Sequence, residues 1–116
     1  MLVLTAACQH AHSDVRELVS PSGKYRAVLY TDSTSFPVPS CDQRVGIVAQ
    51  AELFQPGRAE EEAFVAFSVS CSSKVTLEWK SDSLMAIVYT VSYGVTTYQT
   101  PTSRDGVVRL TYVARP

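Results

Sequence analysis

From about Val15 onward the chain alternates apolar and polar residues at the two-residue spacing of strands, with little trace of a helical repeat. Val15–Val19 and Tyr25–Tyr30 are alternating runs separated by Ser20-Pro21-Ser22-Gly23-Lys24, where proline followed two places on by glycine marks a tight turn, so the pattern predicts a hairpin. Asp32–Pro39, rich in Ser, Thr and Pro, reads as a loop, and Arg44–Gln50 as a short apolar strand. Ala51–Glu62 has helix-forming composition but is broken by Pro56-Gly57, and Glu60-Glu61-Glu62 reads as a solvated loop. Ala63–Ser70 alternates again. Val75–Lys80 sets Val75, Leu77 and Trp79 on one face against polar groups on the other. Leu84–Tyr93 is almost wholly apolar or β-branched, as expected of a central strand covered on both faces. Tyr93–Gly106 reads as a long loop with a short strand at Thr96–Tyr98, and Val107–Val113 as a closing strand with Val108, Leu110 and Tyr112 on one side.

These elements predict an all-β fold of about seven or eight strands, a small antiparallel β-sandwich or an open barrel, mostly joined by hairpins. The chain's 116 residues suffice for one domain, assigned to 15–116, with 1–14 as leader and tether. With 10 Lys+Arg against 11 Asp+Glu, the formal net charge is -1. That excludes the dense positive field of a non-specific nucleic-acid binder, and the basic residues are not interleaved with aromatics. At 46% hydrophobic and 18% charged, the composition is that of a folded chain.

The opening Met1-Leu2-Val3-Leu4-Thr5-Ala6-Ala7-Cys8 turns polar at once with Gln9, His10 and His12. An apolar stretch closing on two small residues and a cysteine resembles the end of a bacterial lipoprotein signal peptide. In that family Cys8 would become the lipidated first residue, and Gln9 after it resembles the outer-membrane sorting signal of Gram-negative bacteria. Thr5 stands where leucine is more usual, and no basic n-region precedes the apolar stretch. The resemblance therefore implies a start further upstream or a trimmed leader. The alternative reading is a short apolar first strand in a cytoplasmic protein.

Three cysteines are an odd set, and assigning Cys8 to a lipid leaves Cys41 and Cys71. In an oxidising compartment they would pair, closing a loop of about 30 residues worth roughly 3–4 kcal/mol. Their flanks, Pro39-Ser40-Cys41-Asp42 and Ser70-Cys71-Ser72-Ser73, are polar and turn-like, which favours a disulfide over two buried thiols.

Ser20-Pro21-Ser22-Gly23-Lys24-Tyr25-Arg26-Ala27 resembles the S-P-D-G-K-x-x-A turn of TolB-type propeller repeats, with Ser22 in place of Asp, and Leu77–Leu84 looks like a degenerate second copy. A propeller of four or more four-stranded blades does not fit in this length, so the likeness implies a strand-turn-strand element. From Ser20 to Tyr112 the chain is similar to small bacterial envelope lipoproteins with an SPDGKY-type hairpin, a family that brings no activity with it.

Candidate chemistry is sparse. His10 and His12 are the only histidines, and on a tether they cannot serve a Ser-His-Asp or Cys-His arrangement. With Cys8 they form a weak soft-metal motif, and no paired C-x-x-C zinc set exists, so neither a metal nor another cofactor is expected. Asp32, Asp42, Glu52, Glu78, Asp82 and Asp105 are formal acid–base candidates, mostly in predicted turns. No phosphate-cradling glycine loop is present. The suggestive stretch is 93–104, where Tyr93, Tyr98 and Arg104 are residue types enriched at protein interfaces.

The sequence thus predicts a non-catalytic, lipid-anchored domain on the periplasmic side of a bacterial envelope, acting through contacts with an envelope or secreted protein. Lysozyme inhibitors and immunity or exclusion proteins are analogues. The alternatives are a structural or assembly lipoprotein that lends an edge strand to an envelope complex and, last, a small carboxylate hydrolase.

Overall fold

A computed structural model describes residues 10–35, 38–54, 61–91 and 96–116, with side chains from Val15 and, in the third segment, from Ala63. Among the described residues the fold is all-β apart from one helical turn. Its elements are β1 (His10–Val19), β2 (Tyr25–Thr34), β3 (Ser40–Ala49), α1 (Glu61–Phe64), β4 (Val65–Ser70), β5 (Val75–Ser81), β6 (Leu84–Thr90), β7 (Thr97–Gln99) and β8 (Arg109–Arg115). A five-stranded sheet, β1-β2-β3-β4-β7, faces a three-stranded sheet, β5-β6-β8.

The β1–β2 turn forms where expected, with Gly23 at φ 81°, a conformation that side-chain-bearing residues rarely adopt, and its N–H bonded to the Ser20 carbonyl at 2.9 Å. β1, however, begins at His10, so residues 10–14 lie in a strand, not a tether: His10 pairs with Thr34 and His12 with Asp32. β2 likewise runs on to Thr34 because β3, starting at Ser40, pairs with it over its whole length.

Between the sheets lies one core. Ala27, Val45, Ile47, Phe67 and Val69 from the large sheet meet Met85, Ile87, Tyr89, Val108 and Leu110 from the small one, with Leu77, Trp79 and Tyr112 packed against them. The predicted inward sets of β5 and β8 are therefore the observed ones. A second cluster, Val28, Tyr30, Val48, Phe54 and Phe64, lies on the outer face of the large sheet, where the segment after β3 folds back over it. Arg26 fastens that segment. Its two terminal amines donate to the Gln50 and Glu52 carbonyls at 3.0 Å each, while Nε pairs with Glu17 at 2.9 Å.

Two features depart from a hairpin-only sandwich. β6 and β8 are parallel, since the chain leaves β6, adds β7 to the edge of the large sheet and returns. β6 is central as expected, but the opposing sheet covers only its inner face; its apolar run goes with pairing on both edges, antiparallel to β5 and parallel to β8, and on the outer face only Ala86 is buried. The returning segment bonds to β4 through Thr100 N–H to the Ala66 carbonyl (2.9 Å) and to β8 through Leu110 N–H to the Pro101 carbonyl (3.0 Å), closing one side of the sandwich. Across the other side the Trp79 indole donates to the Leu18 carbonyl at 2.8 Å.

Cys41, near the start of β3, and Cys71, just after β4, are joined in a disulfide with Cα atoms 5.4 Å apart, as the cysteine count and flanks predicted.

Candidate functional site

Strand register assembles a site on the outer face of the large sheet. Tyr30 pairs with Arg44, Arg44 with Ser68, and Ser68 with Tyr98, so these four residues form one row across β2, β3, β4 and β7. Directly paired residues point to the same side of a sheet, and neighbouring strands lie about 4.8 Å apart. Ser68, the smallest of the four, therefore forms the floor of a trough one strand wide. Arg44 is one wall, Tyr98 the other, and Val65 closes the end of a concavity of about 280 Å³.

The two walls differ in rigidity. Arg44 is ion-paired at 3.0 Å with Asp32, whose side chain is only 7% exposed. A carboxylate this buried is retained only with its cation in place, so the guanidinium is oriented before any ligand arrives. Tyr98 is 54% exposed on a three-residue edge strand. An aromatic ring standing that far out, beside a fixed cation and over a small polar floor, suits one inserted side chain of a partner.

The other predicted interface residues part company here. Arg104 does not join Tyr98; its guanidinium lies over the Phe64 ring at 4.9 Å, in a separate concavity of about 350 Å³ that Glu52 and Asp105 also line. Tyr93 and Cys8 lie outside the described residues.

Two candidate carboxylates do share that second concavity, but Asp105 is committed to the fold. It accepts from the Ser103 hydroxyl at 2.7 Å, the Val107 N–H at 3.0 Å and the Tyr25 hydroxyl at 3.0 Å. These bonds, led by Ser103, hold its carboxyl below the usual carboxylate range, which suits a structural anion and not a proton donor. Tyr25 moves the other way, raised by desolvation and by the Asp105 carboxylate beside it. Of the remaining carboxylates, Glu78 pairs with Lys80 at 2.9 Å, and Asp42 sits opposite Asp32 across the β2–β3 ladder. Among the described residues no group of three or more His, Cys, Asp or Glu is placed to hold a metal ion, and no helix is long and apolar enough to cross a membrane.

Asp82 explains the two propeller-like turns. Its carboxylate accepts from both the backbone N–H and the hydroxyl of Ser22, so the β1–β2 and β5–β6 turns clasp each other. The Ser22 hydroxyl is the main reason its carboxyl lies below the ordinary range. Ser22, standing where the repeat has Asp, is thus the donor that the Asp of the other turn requires.

No family model, no curated protein and no solved structure matches the chain. The site stands on its own geometry.

Sequence reasoning reached Tyr98 through composition and missed Arg44, Ser68 and Val65. Their signal was a polar Asp32 and Arg44 inside otherwise apolar alternation, which acquires meaning only once the β2–β3 register is known.

Proposed function

We propose that this chain is a non-catalytic, lipid-anchored β-domain of a bacterial envelope, held at Cys8 on the periplasmic side and acting by protein contact. The observation that carries the contact half of this reading is the Arg44–Ser68–Tyr98 row, in which an exposed aromatic and a pre-oriented guanidinium flank a trough sized for one side chain. A partner inserting an aromatic or carboxylate-bearing residue there meets both apolar surface and charge, the combination that concentrates binding energy at interfaces. The role is of the inhibitor, immunity or exclusion type, in which a rigid domain occupies part of another protein. The Cys41–Cys71 disulfide and the lipoprotein-like leader support an oxidising compartment.

The test places a photo-crosslinking amino acid at position 98 and, as control, at Leu53, which is 70% exposed and does not line the trough. Expressed behind a complete lipoprotein leader in a Gram-negative host, the position-98 protein is expected to give a discrete adduct that the position-53 protein lacks. The same adduct from both positions, or none from either, refutes the site. Intact mass of envelope-fraction protein made from the gene with its own upstream codons is expected to show the acyl groups on Cys8, and an unmodified mass refutes the anchor.

A further inference from the structure

The outer face of the small sheet is a regular grid. Its rows are Thr76–Val88–Val113, Glu78–Ala86–Thr111 and Leu84–Arg109, continued at the far end by Thr90–Arg115. Ser81 pairs with Leu84 across a register shift, and Lys80, in that irregularity, stands at the end of the Leu84–Arg109 row on the side of Glu78, with which it ion-pairs. Lys74, whose N–H donates to Thr90 Oγ1 at 2.8 Å, extends the Thr90–Arg115 row. Four cations, Lys74, Lys80, Arg109 and Arg115, therefore mark the corners. They stand about 20 Å apart along β8 and about 10 Å apart across the strands. Between them are Thr, Ala and Val side chains. One carboxylate, Glu78, lies on the face, and Lys80 neutralises it at 2.9 Å. Lys74, Arg109 and Arg115 are exposed and have no acidic partner among the described residues.

This surplus of three positive charges sits on one face of a chain whose formal net charge is -1, so the rest of the chain is acidic. Among the described residues the grid carries no aromatic ring, the side chain that most often anchors a protein interface. A flat perimeter of cations matches instead a planar anionic surface, where each Lys or Arg near the headgroups strengthens binding about fivefold. We infer that the outer face of the three-stranded sheet docks on anionic phospholipid. In a sandwich the two outer faces point in opposite directions. Docking by the small sheet turns the Arg44–Tyr98 trough away from the bilayer, toward a soluble partner.

The full chain carrying Cys8→Ser, which has no acyl group, is mixed with vesicles rich in phosphatidylglycerol and with vesicles of pure phosphatidylcholine, and bound protein is measured by flotation. Binding is expected for the anionic vesicles alone, and it is expected to vanish at high salt. Arg109→Ser and Arg115→Ser are each expected to weaken it about fivefold and together about 25-fold, whereas Arg16→Ser on β1 leaves it unchanged. Equal binding to both vesicle types, or anionic binding that the double variant retains, overturns the inference. So does arginine-dependent capture of soluble polyglutamate without vesicle binding, which reassigns the face to an acidic protein. Tyr98→Ala is expected to bind vesicles normally, so the fate of this face is separable from that of the trough.

Discussion

Gly46→Ala is the smallest change that reaches from strand register to the outer core. Gly46 lies between Val28 and Val65 on the outer face of the large sheet, and the Phe54 ring rests directly on it. A Cβ at this position would stand 2.9 Å from Phe54 Cζ and 3.1 Å from Cε2. That is roughly 0.6 Å inside the distance at which carbon atoms ordinarily touch. The ring has little room to retreat, because it packs on Tyr30 at 6.0 Å and edge-on to Phe64 at 5.8 Å, and Arg26 pins the preceding turn through two backbone carbonyls. Overpacking of this kind costs about 1–3 kcal/mol, and the entropy removed from the unfolded chain on replacing glycine returns about 0.4–1 kcal/mol. The net is a loss of about 1–2 kcal/mol, read as a fall of about 4–8 °C in Tm or as the equivalent shift in a urea midpoint. Repeating the substitution in a Phe54→Ala background isolates the contact, since with the ring gone the added methyl is expected to be neutral or stabilising. A Gly46→Ala protein as stable as the parent, or a penalty of the same size in both backgrounds, refutes the argument.

Replacing Cys41 and Cys71 together by serine is expected to cost about 3–4 kcal/mol for a crosslink of separation 30, measured by urea unfolding; a loss under about 1 kcal/mol denies the disulfide its structural weight. Burial drives the Tyr112 hydroxyl up to about 12, where it donates to the Thr100 carbonyl at 2.7 Å with the Ala66 carbonyl at 3.1 Å. The folded protein therefore keeps that proton after the unfolded chain has lost it, so stability present below pH 10, about 1–2 kcal/mol once solvent screening at this half-buried hydroxyl is allowed for, is expected to disappear between pH 10 and 12, and Tyr112→Phe is expected to remove the step. Asp82 has the opposite sign: its lowered carboxyl contributes stability above the ordinary value of 3.8 that fades as the pH falls below it, and acid unfolding of Asp82→Asn is expected to lack that component. The Ser73 hydroxyl is buried without a hydrogen-bond partner among the described residues, so Ser73→Ala is expected to hold or raise Tm, and a clear fall would reveal a partner.

The strands were legible wherever one face is dry and the other wet. In β5 and β8, Leu77, Trp79, Leu110 and Tyr112 alternate with Glu78, Lys80 and Thr111, and both were read with their inward faces correct. The start of β1 was not legible, because His10–Asp14 carries little apolar content and is held by backbone pairing with β2, which composition does not report. The parallel β6–β8 seam was hidden for a related reason. A near-continuous apolar strand reads alike whether a second layer covers it or strands flank it on both edges, and only the path of the chain through β7 separates the two. The trough was half legible: Tyr98 is conspicuous by residue type, but Arg44 and Ser68 come 30 and more residues earlier and reach it only through register across three strands. Arg104 misled because proximity in sequence to Tyr98 does not survive the turn that places it over Phe64.

The route by which the chain leaves β6 and comes back beside it imposes an order on folding. β1 to β4 are consecutive neighbours and can zip as an uninterrupted meander, whereas the opposing layer is a lone hairpin until β8 arrives, and a lone hairpin is at best marginal in water. Until then Phe67, Val45 and Ile47 face a layer that still lacks Val108, Leu110 and Tyr112. A nascent chain that stops short of Arg109 thus leaves part of its apolar interior wet, the condition under which unfinished sheets associate with one another.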